Sequence, residues 1–334
     1  MHARTSRPTV LAALVGVAAT LAACTGSDPG RTRRAAPEPP AFAEVPLSGA
    51  HPAIAGDYPK ASSAGPCDPR VSLTPLDPLP APGRMPTGST MAAVHERGYL
   101  LVGVDQNTRF FAELDSRTSE IKGFDIDMAN RLAQAIFGEP GHVRYLVITQ
   151  AQRIDALTSG QVDVVVDTMT ITCERKERVA FTSDYYTDGQ RVLVRSDTGV
   201  RGLADLRGKR VCTVRGTTSI AFLRDDPAGV VPYAVDNWTD CLVALQQREV
   251  DAVSTTSALL QGLQRQDADT VVVGPTFTDE PHGMAFPLAH TDFVRFANAL
   301  LERMKRDGEW QRLYDRSVRQ ALGPQGPPRA DYAG

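Results

Sequence analysis

From about Gly88 onward, short continuous apolar runs alternate with longer stretches whose apolar residues recur every three or four positions. Residues 99–104, 143–148 and 162–166 read as strands, the last apolar throughout, as in a parallel sheet covered on both faces. Between them, 125–137 reads as a helix. Ile126, Ala129, Leu132/Ala133 and Ile136/Phe137 fall on one face, and Gly138 supplies the stop. A shorter helix is expected over 153–159. The alternation restarts after about residue 195, with strands at 209–214, 230–235 and 251–254 and helices at 219–224, 239–247 and 256–266. A final amphipathic helix covers 292–306, with Phe293, Phe296/Ala297, Leu300/Leu301 and Met304 on one face. Strand–helix alternation predicts mostly parallel sheets with helical crossovers. Its interruption and restart predict an α/β protein of two lobes, with the chain passing between them near 191–195 and again near 282–287. Ligands of open α/β sheets sit at strand carboxyl ends and helix N-termini, so the cleft between the lobes is the expected site.

The N-terminal quarter follows a different pattern. Residues 9–20 form an apolar run too short to span a bilayer as a helix, preceded by Arg4 and Arg7 and ending in Leu21-Ala22-Ala23-Cys24. This resembles a bacterial lipoprotein leader, 1–23, cut before Cys24, whose sulfur would then carry the lipid anchor. Residues 24–86 hold more than half of the 24 prolines and no apolar periodicity, and read as a tether followed by a surface strap. The Pro/Gly-rich 324–334 reads as a flexible tail. The expected division is therefore 87–191 with 284–323 as lobe one and 192–283 as lobe two.

Composition narrows the function. The 334 residues carry 42% hydrophobic and 22% charged side chains and a net charge of −3. Loss of Arg4 and Arg7 with the leader makes the charge more negative, which argues against nucleic acid as a partner. Cys67, Cys173, Cys212 and Cys241 remain after Cys24, an even number that favours two disulfides in an exported chain, with three pairings open. No CxxC pair occurs, and the six histidines show no metal spacing, so neither a metal nor another cofactor is expected.

Four segments in order, Val102-Gly103-Val104-Asp105, Gly123-Phe124-Asp125-Ile126-Asp127, residues 163–178 and Gly216-Thr217-Thr218-Ser219, resemble the solute-binding proteins of ATP-driven (ABC) importers, specifically the polar-amino-acid group. The likeness covers about 90–320 and is most similar to actinobacterial glutamate/glutamine-binding lipoproteins. It implies the type II periplasmic-binding-protein fold, with two α/β lobes joined by a two-strand hinge. It also implies a monomer that binds a polar amino acid, glutamate or aspartate before glutamine or asparagine. The closed form would be read by an ABC permease or by a membrane sensor protein. No acid/base pair stands out for catalysis, so the chain is not expected to be an enzyme.

Site residues carry over one by one. The resemblance assigns Arg175 to the ligand α-carboxylate, which a guanidinium matches with two parallel charge-assisted hydrogen bonds, and Thr170 as its hydroxyl partner. It gives Arg153 the side-chain carboxylate, Phe110 (with Phe111) an apolar wall, and Thr217 and Thr218 the contact from lobe two. Asp105, Asp167 and Thr168 belong to the same set. The family's acid for the α-ammonium is absent: the stretch after Asp251-Ala252-Val253 offers Thr256 and Ser257, so Asp167 or Asp105 would have to substitute. The same alignment favours Cys212 with Cys241, which leaves Cys67 with Cys173.

Overall fold

In the computed structural model, residues 51–52 and 67–333 are described. The leader, Cys24 and the tether up to residue 66, apart from 51–52, lie outside the described residues.

Two separate sheets carry the two lobes. The first runs in the order Val143–Val147, Leu100–Val104, Val164–Val165, Ala285–Pro287 and Val179–Phe181. Its first three strands are parallel, and Ala285–Pro287 enters antiparallel to its neighbours. The second runs His51–Pro52, Val231–Val235, Arg210–Val214, Ala252–Thr256, Gln190–Arg195 and Thr270–Val273. Its parallel centre is flanked by antiparallel pairing at Gln190–Arg195. The helix Phe124–Phe137 buries Ile126, Ala129, Leu132, Ala133 and Ile136, and Gly138 ends it at a φ of 85°, a left-handed turn that glycine adopts without steric cost. The helix Thr291–Arg306 likewise buries the predicted Phe293 to Met304 stripe.

The lobes are joined by a two-stranded antiparallel ribbon, Tyr186–Asp188 paired with Glu280–His282. The passages therefore lie a few residues before the expected 191–195 and 282–287. Val192, Leu193 and Val194 are fully buried and hydrogen-bonded on both sides within the lobe-two sheet, while Ala285–Pro287 belongs to the lobe-one sheet. The expected flexible tail is also corrected: Asp331–Ala333 is a strand parallel to Val71–Leu73, and the Tyr332 hydroxyl donates to Glu302 at 2.8 Å. The backbone edge of the N-terminal strap gives the tail its partner.

Disulfides join Cys67 to Cys173 and Cys212 to Cys241. The first fastens the strap to lobe one beside Arg175. Arg70 then reaches the hinge ends, 2.6 Å from Asp184 and 2.7 Å from Asp279.

Candidate functional site

Arg153 and Arg175 enter the inter-lobe space from two short lobe-one helices, Arg153–Thr158 and Cys173–Lys176. Thr172 caps the second by accepting from the Arg175 amide at 3.2 Å. Both guanidinium groups are buried and spend donors on backbone carbonyls. Arg153 donates to Gln150 O (3.0 Å), Asp167 O (3.0 Å) and Gly216 O (3.1 Å), and Arg175 to Thr170 O (2.6 Å) and Gly216 O (3.0 Å). One lobe-two carbonyl thus accepts from both lobe-one arginines and ties the lobes together. Gly216 has φ 73°, and a Cβ there would lie 2.5 Å from Ala151 Cα across the cleft, so both the turn and the close approach require glycine.

Around this bridge lies a tightly closed cavity of about 20 Å³. It gathers Arg153, Thr168, Thr170 and Arg175 from lobe one with Thr217, Thr218 and Thr256 from lobe two. Ser219, the end of the Gly216-Thr217-Thr218-Ser219 segment, completes the lining with Gln150, Trp238, Thr255 and Leu259, which were not among the expected site residues. Trp238 starts the helix Trp238–Gln246, and with Leu259 it supplies the apolar surface expected from Phe110.

Four expected residues stand elsewhere. Phe110 faces a separate hollow with Glu113, Lys122 and Asp127, and its ring lies 5.7 Å from the Arg109 guanidinium. A φ of 74° in the turn closed by Phe111 N to Thr108 O turns Phe110 away from the cavity, while Phe111 is buried against Phe124 and Tyr186. Asp105 is consumed within its own lobe. Its oxygens accept from the amides of Gln106 and Asn107, from Asn107 Nδ2, Thr108 Oγ1 and Gln150 Nε2, at 2.5–3.3 Å. Asp167 is fully buried with its carboxylate 4.0 Å from Arg153 Nε, behind the cavity wall. Ser257 spends its hydroxyl and amide on Gly189 O, each at 3.0 Å.

Burial dominates the electrostatics. It pushes the Asp167 carboxyl well above the usual range against the pull of Arg153. Asp125, which accepts from Tyr185 Oη at 2.6 Å and Thr168 N at 2.8 Å, is pushed up to about 7, again chiefly by burial. Burial and then the Arg153 charge lower Arg175 to about 9, leaving it charged at neutral pH. Two hinge residues adjoin the site without any prior signal. Glu280 accepts from Gln190 Nε2 at 2.5 Å and from the cavity-lining Thr218 Oγ1 at 2.9 Å. His282 is buried and neutral, lowered to about 3 by burial, then by Arg153 and Arg175, and its ring packs 5.5 Å from Tyr186. Among the described residues no group of three or more His, Cys, Asp or Glu side chains is placed to hold a metal.

The profile of the bacterial extracellular solute-binding proteins, family 3, matches residues 100–320. The chain is 32% identical over 232 residues to the ABC transporter glutamine-binding protein GlnH of Bacillus subtilis, covering 69% of this chain and 85% of that one. It is 31% identical over 247 residues to the glutamate-binding protein GluB of Corynebacterium glutamicum, covering 70% and 83%. Among solved structures, the arginine-bound truncated ArgBP of T. maritima superposes with a TM-score of 0.61 at 31% identity, covering 64% of this chain and 99% of that one.

Proposed function

We propose that this chain, which belongs to the bacterial extracellular solute-binding proteins of family 3, binds a polar amino acid between its lobes and presents the closed form to an ABC importer. Glutamate and aspartate are the first candidates, glutamine and asparagine the next. The observation that carries the reading is the convergence of Arg153 and Arg175 on one cavity closed from the other lobe by Gly216, Thr217 and Thr218. A carboxylate held by a charged fork in a water-poor space gains ~1.5–3 kcal/mol per hydrogen bond. The names of the glutamine- and glutamate-binding relatives support the ligand class and the transport role. The protein acts by binding and release, without turnover, as a monomer.

The leader and Cys24 support attachment of the chain to the outer face of the cell membrane through lipid on that cysteine, with the Pro-rich segment as leash. Among the described residues no helix is long and apolar enough to cross a membrane.

Calorimetry of the full chain against glutamate, aspartate, glutamine, asparagine and basic amino acids tests the binding. Micromolar or tighter affinity for one of the first four is expected, with at least a hundredfold loss in Arg175→Ala. No heat from any of them at millimolar concentration would sink the reading.

A further inference from the structure

The cavity wall is rich in donors and cations and carries no acid. Arg153 and Arg175 both line it, and no Asp or Glu among the described residues does. Trp238, 2% exposed, presents an indole N–H with no hydrogen-bond partner among the described residues, and an indole can only donate. The helix Thr218–Asp225 starts at the wall with no side-chain cap, because the Thr217 hydroxyl donates to Val214 O at 2.6 Å. Its first-turn amides and positive dipole end favour an anion. Thr256, 6% exposed, has a hydroxyl on the same wall without a partner among the described residues, and a hydroxyl brings no charge.

The acids that could balance a cation stand one layer back. Asp105 is saturated by donors of its own loop and reaches the wall only through Gln150. Asp167 lies behind Arg153, and Glu280 lies behind Thr218. Each faces a wall residue; both Asp167 oxygens lack a hydrogen-bond partner among the described residues, but Asp167 is fully buried and, like Asp105 and Glu280, does not line the cavity. A ligand ammonium would enter a space holding two guanidinium groups and meet uncharged hydroxyls, whereas every carboxylate of the ligand meets a donor.

We propose that this cavity reads the carboxylates of its ligand and not the ammonium, so that des-amino dicarboxylates of glutamate's length belong to its ligand class. The proposal rests on the reading of the cavity as the ligand site. It departs from that reading in making the amino group dispensable.

Calorimetry of the full chain with glutamate, glutarate, 2-oxoglutarate and glutamine tests it. Glutarate and 2-oxoglutarate are expected to bind within tenfold of glutamate, and glutamine, which lacks the second carboxylate, more than tenfold more weakly. If glutamate binds and both des-amino compounds are more than tenfold weaker, the proposal fails and the amino-acid reading stands. If glutamine matches glutamate, the proposal fails as well. If the dicarboxylates bind and no amino acid does, the proposal stands and the amino-acid reading falls. Silence from all four overturns both. Thr256→Asp supplies the missing charge: it is expected to raise the preference for glutamate over glutarate at least tenfold. An unchanged preference in that variant, with wild-type melting behaviour, would overturn the proposal.

Discussion

Gly216→Ala tests whether the lobes close as the structure shows. The new Cβ would lie 2.5 Å from Ala151 Cα and 2.8 Å from Ala151 N, both backbone atoms of the opposite lobe. Carbon atoms settle at roughly 3.5–4.0 Å, so the lobes must part by about 1 Å at this point. Parting stretches the bonds from Arg153 and Arg175 to Gly216 O, now 3.1 and 3.0 Å. At ~1.5–3 kcal/mol for each charge-assisted bond, the closed state loses about 3–6 kcal/mol, more than the roughly 2.7 kcal/mol that corresponds to a hundredfold in affinity. A second cost arises from φ 73°, where alanine is strained by roughly 1–2 kcal/mol whether the lobes are open or closed. Gly160→Ala isolates that cost, because Gly160 has the same φ of 73° and open space where its Cβ would go. Both variants should show similar losses in melting temperature. In calorimetry, Gly216→Ala should bind at least a hundredfold more weakly and Gly160→Ala like wild type. Binding by Gly216→Ala within threefold of wild type would refute the closed geometry.

Two further outcomes follow from the buried groups and the strap. Asp125, pushed up to about 7 from 3.8, contributes stability that is fully present below its unfolded value and lost as the pH rises through about 7. His282, lowered to about 3 from 6.5, contributes stability present above 6.5 and lost as the pH falls toward 3. Between about pH 4 and 6.5 the two slopes oppose at roughly 1.4 kcal/mol per pH unit each, so Asp125→Asn should make stability in urea rise with pH over that window relative to wild type. Parallel stability–pH curves for the two proteins would dismiss the assignment. Replacing Cys67 and Cys173 together by serine releases a cross-link between residues 106 apart, and urea unfolding should show a loss of about 2–5 kcal/mol. A loss below about 1 kcal/mol would mean that Arg70 and the strand pairing hold the strap alone.

The sequence was most legible where local pattern and burial agree. The stripe of the Phe124–Phe137 helix and the apolar runs at Leu100–Val104 and Arg210–Val214 became buried elements because their periods matched the faces they cover. Legibility failed where the cause lies far along the chain. The three-residue ribbon strands at the hinge carry too few positions for any period, and the partner of Asp331–Ala333 lies some 260 residues away. Phe110 and Phe111 are equivalent in sequence; a positive φ at the first decides that one faces a side hollow and the other the core. Asp105 read as a free acid at a strand end, yet its own loop supplies the donors that occupy it. Glu280 and His282 gain their place only because the ribbon returns beside Thr218 and Thr170.

With Arg153 and Arg175 holding the ligand as proposed, the shared carbonyl of Gly216 would make closure and ligand capture cooperative rather than competing. An arginine has five N–H donors. Arg153 spends three on carbonyls and Arg175 two. Donors therefore remain on both side chains for an anion after the latch has formed. A carboxylate that binds them need not displace Gly216 O, and the latch in turn holds both guanidinium planes still before the ligand arrives. This lowers the ordering cost that an exposed, mobile arginine would bear on binding. Lysine could not take either place. A single ammonium lacks the planar fork needed to bridge Thr170 O and Gly216 O while still offering a parallel pair of donors to a carboxylate. The same two residues that set the charge of the cavity thus set its shape.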